Sequence, residues 1–273
     1  MRAAAGVAPA PRPVAPGVVL PSPPDVAAGR VLVVLCTYNE RENLPRLLPA
    51  VLAADDRLDV LVVDDASPDG TGEWAEHHAE TEPRAAALRR TERGLGSATL
   101  AGLSAAAAGG YGAAVTMDAD FSHHPRHLPA LLALLDTHDV AVGSRYVPGG
   151  RITGWPASRH LMSRAINVYT RLTLGLSQRD CSGAFRAYRG ALLRRTDLSA
   201  VRSRGYSFFE EFLYRCAAAG ATIAETPVHF ENRTAGVSSL DAREAATALW
   251  LLARVGLERV MGRGNGGRRP SAP

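Results

Sequence analysis

Asp118 and Asp120 flank one alanine directly after the apolar run Ala113 to Met117. Two carboxylates at i and i+2 beyond a strand end can both reach one hard divalent cation. Mg2+ or Mn2+ held by one or two carboxylates keeps positions for substrate phosphates. A solvated turn is the competing reading, because Asp-x-Asp is a short pattern. A second acidic stretch, Asp64-Asp65-Ala66-Ser67-Pro68-Asp69-Gly70-Thr71, follows the apolar run Val60 to Val63. Pro-Asp-Gly is turn chemistry, so Asp69 and Gly70 read as structural. Asp65 can accept hydrogen bonds from a nucleobase or a ribose. Thr37-Tyr38-Asn39-Glu40 ends the first apolar run. Tyr38 offers a ring for stacking on a base. Glu40 reads equally as a contact to a sugar hydroxyl or base N–H and as part of a first-turn helix cap.

The cationic counterpart lies later. Arg145 and Arg159 precede the segment Asp180 to Tyr188, which contains Arg186. A planar, permanently charged guanidinium suits phosphate; most arginines are nevertheless solvated surface residues, and Asp180 reads as a structural partner for one of them. Nucleophilic catalysis has little support. There is no Gly-x-Ser-x-Gly, and Cys36 and Cys181 have no base nearby in sequence and read as small core residues. His123 and His124 are adjacent, which does not suit zinc. Gly94-Leu95-Gly96 lacks the third glycine of a dinucleotide fingerprint, since position 99 is Thr.

These residues need strands to present them. Val31–Leu35, Val60–Val63, Ala113–Met117 and Val140–Val142 are short apolar runs of the kind expected for buried parallel strands. Between them, residues 43–54, 72–80, 98–108 and 129–136 read as helices. This alternation predicts a doubly wound α/β sheet, with ligands beyond the carboxyl ends of the strands. After residue 150 the alternation fades, although 159–174 and 241–261 read as helical. Residues 1–29, with seven prolines, read as a disordered leader, and the tail from Gly262 as a loose Gly/Arg segment. The expected organisation is therefore a leader, a domain over 30–240, an amphipathic helix over 241–262 and a flexible end.

The chain has 273 residues, 46% of them apolar, and a net charge of +4. Global disorder is excluded, and no apolar run reaches the ~18 residues of a membrane span. The N-terminus lacks the apolar core of a signal peptide. Three distant cysteines exclude a disulfide framework and suit a reducing compartment. Residues 31–150 carry 9 Arg against 17 acids, and residues 151–215 carry 12 Arg against 4. Such a split suits one part that handles a cation and another that handles phosphate. It argues against nucleic acid, because the excess charge is local. The chain contains no Lys.

Taken in order, Thr37 to Asn43, Asp64 to Thr71, Met117 to Pro125, Gly143 to Tyr146, Gly154-Trp155, Ser182 to Arg186, Gly205 to Phe208, and Pro227 to Phe230 with Arg233 form a pattern over about residues 31–240. The pattern resembles the family-2 glycosyltransferases, specifically the polyprenyl (dolichyl) phosphate mannose synthases. The resemblance implies a GT-A fold, hexosyl transfer, GDP-mannose as donor, a polyprenyl monophosphate as acceptor and Mg2+ or Mn2+. It implies catalytic roles for Asp118, Asp120 and Arg145. Tyr38, Glu40, Val63 and Asp65 would hold the guanosine side, and Asp118, Ala119, Asp120, Arg145 and Arg233 the rest of the donor. Asp118, Asp120 and Ser122 would meet the metal; Arg145, Arg159 and Ser163 would grip the lipid phosphate. The chain departs from the family at Cys36, where proline is usual, and at Ser239, where lysine is usual. UDP-glucose as donor, and a binding module without catalysis, are the alternatives.

The acceptor phosphate is already anionic at neutral pH, so no strong base is required and direct displacement with inversion is expected. Leu161, Ala165, Val168, Tyr169 and Leu172 fall on one helical face near Arg159, Arg164 and Arg171. Leu249, Leu252, Gly256 and Val260 fall on another. Basic amphipathic helices of this kind lie in membrane interfaces, or pack on a core. The expectation is peripheral attachment at the cytoplasmic face of a membrane, with a separate anchoring protein as a further partner.

Overall fold

The protein is described by a computed structural model covering residues 18–205, 207–232, 249–250 and 252–257. Four strands run in parallel: β1 (Val31–Thr37), β2 (Leu58–Asp64), β3 (Ala85–Arg89) and β4 (Ala113–Asp118). The helices between them are α1 (Leu44–Leu52), α2 (Thr71–Thr81) and α3 (Leu95–Ala108). α4 (Leu128–Ala133) follows, then β5 (Val140–Ser144), β6 (Arg151–Thr153) and α5 (Ala157–Leu174). The chain continues through β7 (Arg186–Arg189), α6 (Gly190–Arg195), α7 (Phe208–Ala218), β8 (Ile223–Pro227) and β9 (His229–Glu231). The seven-stranded sheet has the order β3-β2-β1-β4-β7-β5-β8, and β6 and β9 form a separate parallel pair. β7 alone runs antiparallel in the large sheet.

The apolar runs form strands because both faces of the sheet are covered. Side chains alternate between the faces. Val31, Val33 and Leu35 join one core cluster with residues of α1, while Leu32 and Val34 join the other with residues of α3 and α7. β2 repeats this, with Val60 and Val62 on the first side and Leu61 and Val63 on the second. α3 lies close because Gly102 faces Val34; a Cβ there would sit 2.3 Å from Val34 Cγ1.

The expected helices and strands of the first half are present, with ends shifted by a few residues. The fading alternation after residue 150 is corrected: β7 and β8 complete the large sheet. The leader is corrected over its described part, residues 18–29. Pro24–Ala27 form one helical turn, and Ala27 is buried. Ser22 Oγ donates to Asp59 at 2.6 Å, and Ser22 N donates to the Tyr111 hydroxyl. A segment too poor to build a core can still dock onto one. Residues 1–17, most of the expected 241–262 helix and the tail lie outside the described residues.

Candidate active site

The carboxyl ends of β1, β2 and β4 align, since Thr37 pairs with Asp64 and Cys36 with Asp118. Their loops brace one another. Asp64, fully buried, accepts from Thr37 Oγ1 at 3.0 Å and from Ser67 N at 3.0 Å. The amides of Asn39, Glu40 and Arg41 donate to Ser67 Oγ, Thr71 Oγ1 and Asp69 Oδ2 at 3.0, 3.0 and 3.1 Å. Asp69 also accepts from the Thr71 amide. Gly70, at φ 84°, turns the chain into α2. Asp69 and Gly70 are thus structural. So in part is Asp65, whose oxygens accept from Arg90 Nη1 and Gly94 N, both at 2.8 Å. Burial raises its pKa, partly offset by the Gly94 amide and Arg90. Glu40 Oε2 accepts from Asn43 Nδ2 at 2.6 Å. The Tyr38 ring is exposed but carries the Arg93 guanidinium 4.1 Å from its centroid.

The Asp118 side chain is about one-third exposed. Asp120 Oδ1 accepts from Ser122 N at 2.9 Å across Phe121, which has φ 62°. This tight turn sets both carboxylates in one loop. Behind them His123 is buried, and burial pushes its imidazole down to about 4. Its Nδ1 accepts the Asp118 amide at 3.2 Å and lies 3.4 Å from the Asp118 carboxylate. Among the described residues no group of three His, Cys, Asp or Glu is arranged to hold a metal. Two carboxylates alone suit a hard cation that completes its coordination with phosphate and water.

Arg145 follows β5. Thr116 of β4 and Val142 of β5 both pair with Arg186 of β7. Asp118 and Ser144 therefore lie at one level of the sheet, two strand spacings or about 10 Å apart. The Arg145 guanidinium donates from Nε to Asp180 Oδ2 and from Nη2 to Asp180 Oδ1, both at 2.7 Å, and from Nη2 to Ser182 Oγ. Burial alone would lower the Arg145 pKa, but Asp180, and to a lesser degree Asp118, keep it above its ordinary value. Tyr146 donates to Ser163 Oγ at 2.7 Å, and Arg159 Nη1 donates to Asn232 Oδ1 at 3.3 Å. Arg145 and Arg159 both lie against the Trp155 ring, and Tyr146 reaches Ser163 one turn beyond Arg159 on α5.

β9 joins the two ends. Glu231 N donates to Ser122 O, and His123 bridges to Phe230. Phe230 stands edge-on to both His123 and Trp155, with ring centroids 5.3 Å apart in each pair. The loop of Asp118 and Asp120 and the arginine pocket are thus parts of one framework.

Several of the residues singled out in the sequence are core residues. Val63 lies wholly within the core, so its side chain does not face a donor; its carbonyl accepts from Thr37 Oγ1 at 3.5 Å. Ala119 is likewise buried. Arg186 is no phosphate ligand, being fully buried with Nη1 donating to Phe209 O and Nη2 to Cys181 O. Burial pushes the thiols of Cys36, Cys181 and Cys216 up to about 12, as suits core residues. Arg233 and Ser239 lie outside the described residues. Sequence reasoning gave no role to Phe230 or Trp155, although both stand in motifs of the pattern, and that was the signal available.

Residues 32–196 match the model of glycosyl transferase family 2. An undecaprenyl-phosphate mannosyltransferase of Micrococcus luteus is 44% identical over 229 residues, 84% of this chain and 94% of its own. A polyprenol monophosphomannose synthase of Mycolicibacterium smegmatis is 42% identical over 240 residues, 87% of this chain and 91% of its own. A crystal structure of glucosyl-3-phosphoglycerate synthase from Mycobacterium tuberculosis, with Mn2+, UDP-glucose and glycerol 3-phosphate, is similar in fold. Its TM-score is 0.56 at 20% identity, covering 91% of this chain and 86% of that one. On this footing the chain belongs to glycosyl transferase family 2 and has the GT-A fold.

Proposed function

We propose that this protein transfers mannose from GDP-mannose to a polyprenyl monophosphate, with inversion at the sugar carbon. The observation that carries the reading is the joining of an acidic loop, Asp118 to Ser122, to an arginine pocket, Arg145 with Arg159, through Phe230 of β9. Near-full-length similarity to two enzymes named for polyprenyl-phosphate mannosyl transfer supports the same substrates.

Asp118 and Asp120, with Ser122, would hold Mg2+ or Mn2+, which supplies a counter-charge for the leaving diphosphate. Tyr38, Glu40 and Asp65 lie on the nucleoside side, at the ends of β1 and β2. Arg145, Arg159 and Ser163 orient the acceptor phosphate, and Arg233 serves the donor. A phosphate oxygen of the acceptor forms the new bond to the sugar carbon as the bond to GDP breaks. The attacking oxygen is already anionic, so no side chain needs to remove a proton. Fixed charges aimed at both anions supply the main stabilisation.

A membrane surface is the proposed setting. α5 exposes Leu161 at 72% and Leu172 at 78%, with Val168 and Met162 between them and Arg164 and Arg171 alongside. The Tyr169 hydroxyl donates to Leu249 O, beside exposed Trp250 and Leu257. This apolar face rimmed by arginine suits the interface of an anionic leaflet. No helix among the described residues is long and apolar enough to cross a membrane. The proposed location is the cytoplasmic face, with a separate anchoring protein as a further partner.

The test is transfer of radiolabelled mannose from GDP-mannose to a polyprenyl phosphate, with UDP-glucose in parallel and with and without chelator. Transfer from GDP-mannose alone, lost with chelator and giving a β-linked product, is expected. Transfer from UDP-glucose instead, or an α-linked product, overturns the reading.

A further inference from the structure

Trp155 follows Gly154, whose φ of 83° turns the chain out of β6 toward α5. The indole ring lies against both pocket arginines. The Arg159 guanidinium carbon is 4.2 Å from its centroid and that of Arg145 is 5.6 Å away. Phe230 and His160 meet the ring edge-on at 5.3 and 5.6 Å. The indole Nε1 is buried and has no hydrogen-bond partner among the described residues. Buried indole N–H groups normally find an acceptor; here Phe230 and the two guanidinium groups can offer none, and the His160 ring makes no hydrogen bond to Nε1. Two nitrogens of Arg145 are committed to Asp180 and Ser182, which leaves Nη1 as the one not engaged by them. A donor set of this kind calls for an anionic oxygen.

We propose that Trp155 is a third phosphate ligand of the arginine pocket. Its N–H donates to a phosphoryl oxygen of the acceptor monoester, and its ring steadies Arg145 and Arg159 by cation–π contact. The assignment to the acceptor rests on the mannosyl-transfer reading above; the phosphoryl chemistry does not. The donor diphosphate has oxygens of the same kind, so the two sources must be separated. The ring stabilises both guanidinium groups by cation–π attraction.

Two substitutions separate the N–H from the ring. Trp155→Phe keeps an aromatic face and removes the donor. Replacement of Trp155 by benzothienylalanine keeps the bicyclic shape and replaces N–H by sulfur. Both are measured for binding of farnesyl monophosphate by calorimetry without donor, and for KM of polyprenyl phosphate and of GDP-mannose. A charge-assisted hydrogen bond lost from a desolvated site predicts a roughly tenfold to hundredfold weaker phosphate binding and an equal rise in acceptor KM. GDP-mannose KM is expected to stay within about twofold. Trp155→Leu, which also removes the ring, is expected to be worse than either. Wild-type farnesyl-phosphate affinity in the benzothienyl variant overturns the proposal, as does a defect confined to GDP-mannose KM. If the unmodified protein transfers no mannose, the functional reading fails, while the farnesyl-phosphate comparison still decides the role of the N–H.

Discussion

The guanidinium of Arg145 is clamped by the carboxylate of Asp180, with Nε and Nη2 each 2.7 Å from a different oxygen. Asp180 also accepts the amides of Arg145 and Gly183, both at 3.0 Å. The pair is buried, with side-chain exposures of 8% and 0%. Removing one member of a buried pair leaves an uncompensated charge, which costs about 3–5 kcal/mol. Asp180→Asn is therefore expected to lose about that much in urea unfolding, and to weaken phosphate binding with it. Burial works against the ionised Asp180, but Arg145 outweighs burial and holds its carboxyl below the usual range. The unfolded chain thus takes up the proton first as pH falls. The stabilisation is complete above the unfolded value and lost on acidification through the folded one. An Asp180→Asn variant as stable as wild type at neutral pH would remove this clamp from the account.

Asp120 shares its loop with Asp118, and one of its oxygens fixes the turn through Ser122 N. Asn at this position can still accept that amide while dropping the charge. Asp120→Asn is expected to stay folded by circular dichroism and to lose roughly 10²–10³-fold in turnover, on the scale of removing an electrostatic stabiliser. Near-normal turnover at saturating Mn2+ would dismiss Asp120 as a metal ligand.

Glu210 is buried in α7, with Arg186, Asp180 and Arg145 as its charged neighbours, and Oε2 has no partner among the described residues. Burial raises its pKa to about 7. Between the ordinary value of 4.5 and about 7 the folded chain keeps a proton that the unfolded chain has released. Stability accordingly declines as pH rises through that window. Glu210→Gln removes the decline. The variant is expected to match wild type near pH 5 and to gain about 1–3 kcal/mol at pH 8. Equal stability differences at both pH values would rule this out.

Leu161 and Leu172 are both exposed on α5. Glu at both sites places charge on an apolar surface and opposes an anionic leaflet. Leu161→Glu with Leu172→Glu is expected to cut binding to phosphatidylglycerol vesicles by about tenfold or more. Activity toward a short, water-soluble prenyl phosphate should persist. Unchanged co-sedimentation with vesicles would remove α5 as the contact face.

Gly102 sits where α3 meets β1, and an added Cβ would fall 2.3 Å from Val34 Cγ1. Overpacking of this kind costs about 1–3 kcal/mol, which exceeds the helix-propensity gain of about 1 kcal/mol from Gly to Ala. Gly102→Ala is expected to lower the melting temperature by several degrees in a calorimetric scan, and a raised one would contradict the packing described.

Some of the site was legible because its determinants are local. An apolar run long enough for one strand, followed at once by Thr37, Asp64 or Asp118, places those side chains at a carboxyl edge whatever the partner strand is. The pairing of Cys36 with Asp118 and Thr37 with Asp64 confirms that edge. The turn at Asp69 and Gly70 was readable for the same reason. Arg186 misled, because a charged residue in a short strand looks solvated until Cys181 O and Phe209 O are brought to it. β7 was missed with it, and β8, with no buried apolar run, could not be separated from a loop.

By itself the sequence determined the α/β alternation, the acidic first half, the arginine-rich second and the motifs that mark the family. Those depend on neighbours within a few residues, or on the order of short patterns. Tertiary structure decided that Arg186 is consumed in the core while Arg145 is held by Asp180 beyond the end of β5. It also brought Arg145 and Arg159 against the Trp155 ring, and set β9, some hundred residues downstream of Asp120, against both Trp155 and the acidic loop. Burial and cross-strand adjacency are properties of the assembled sheet. No local pattern encodes them, because each is set by what the other strands and helices bring alongside.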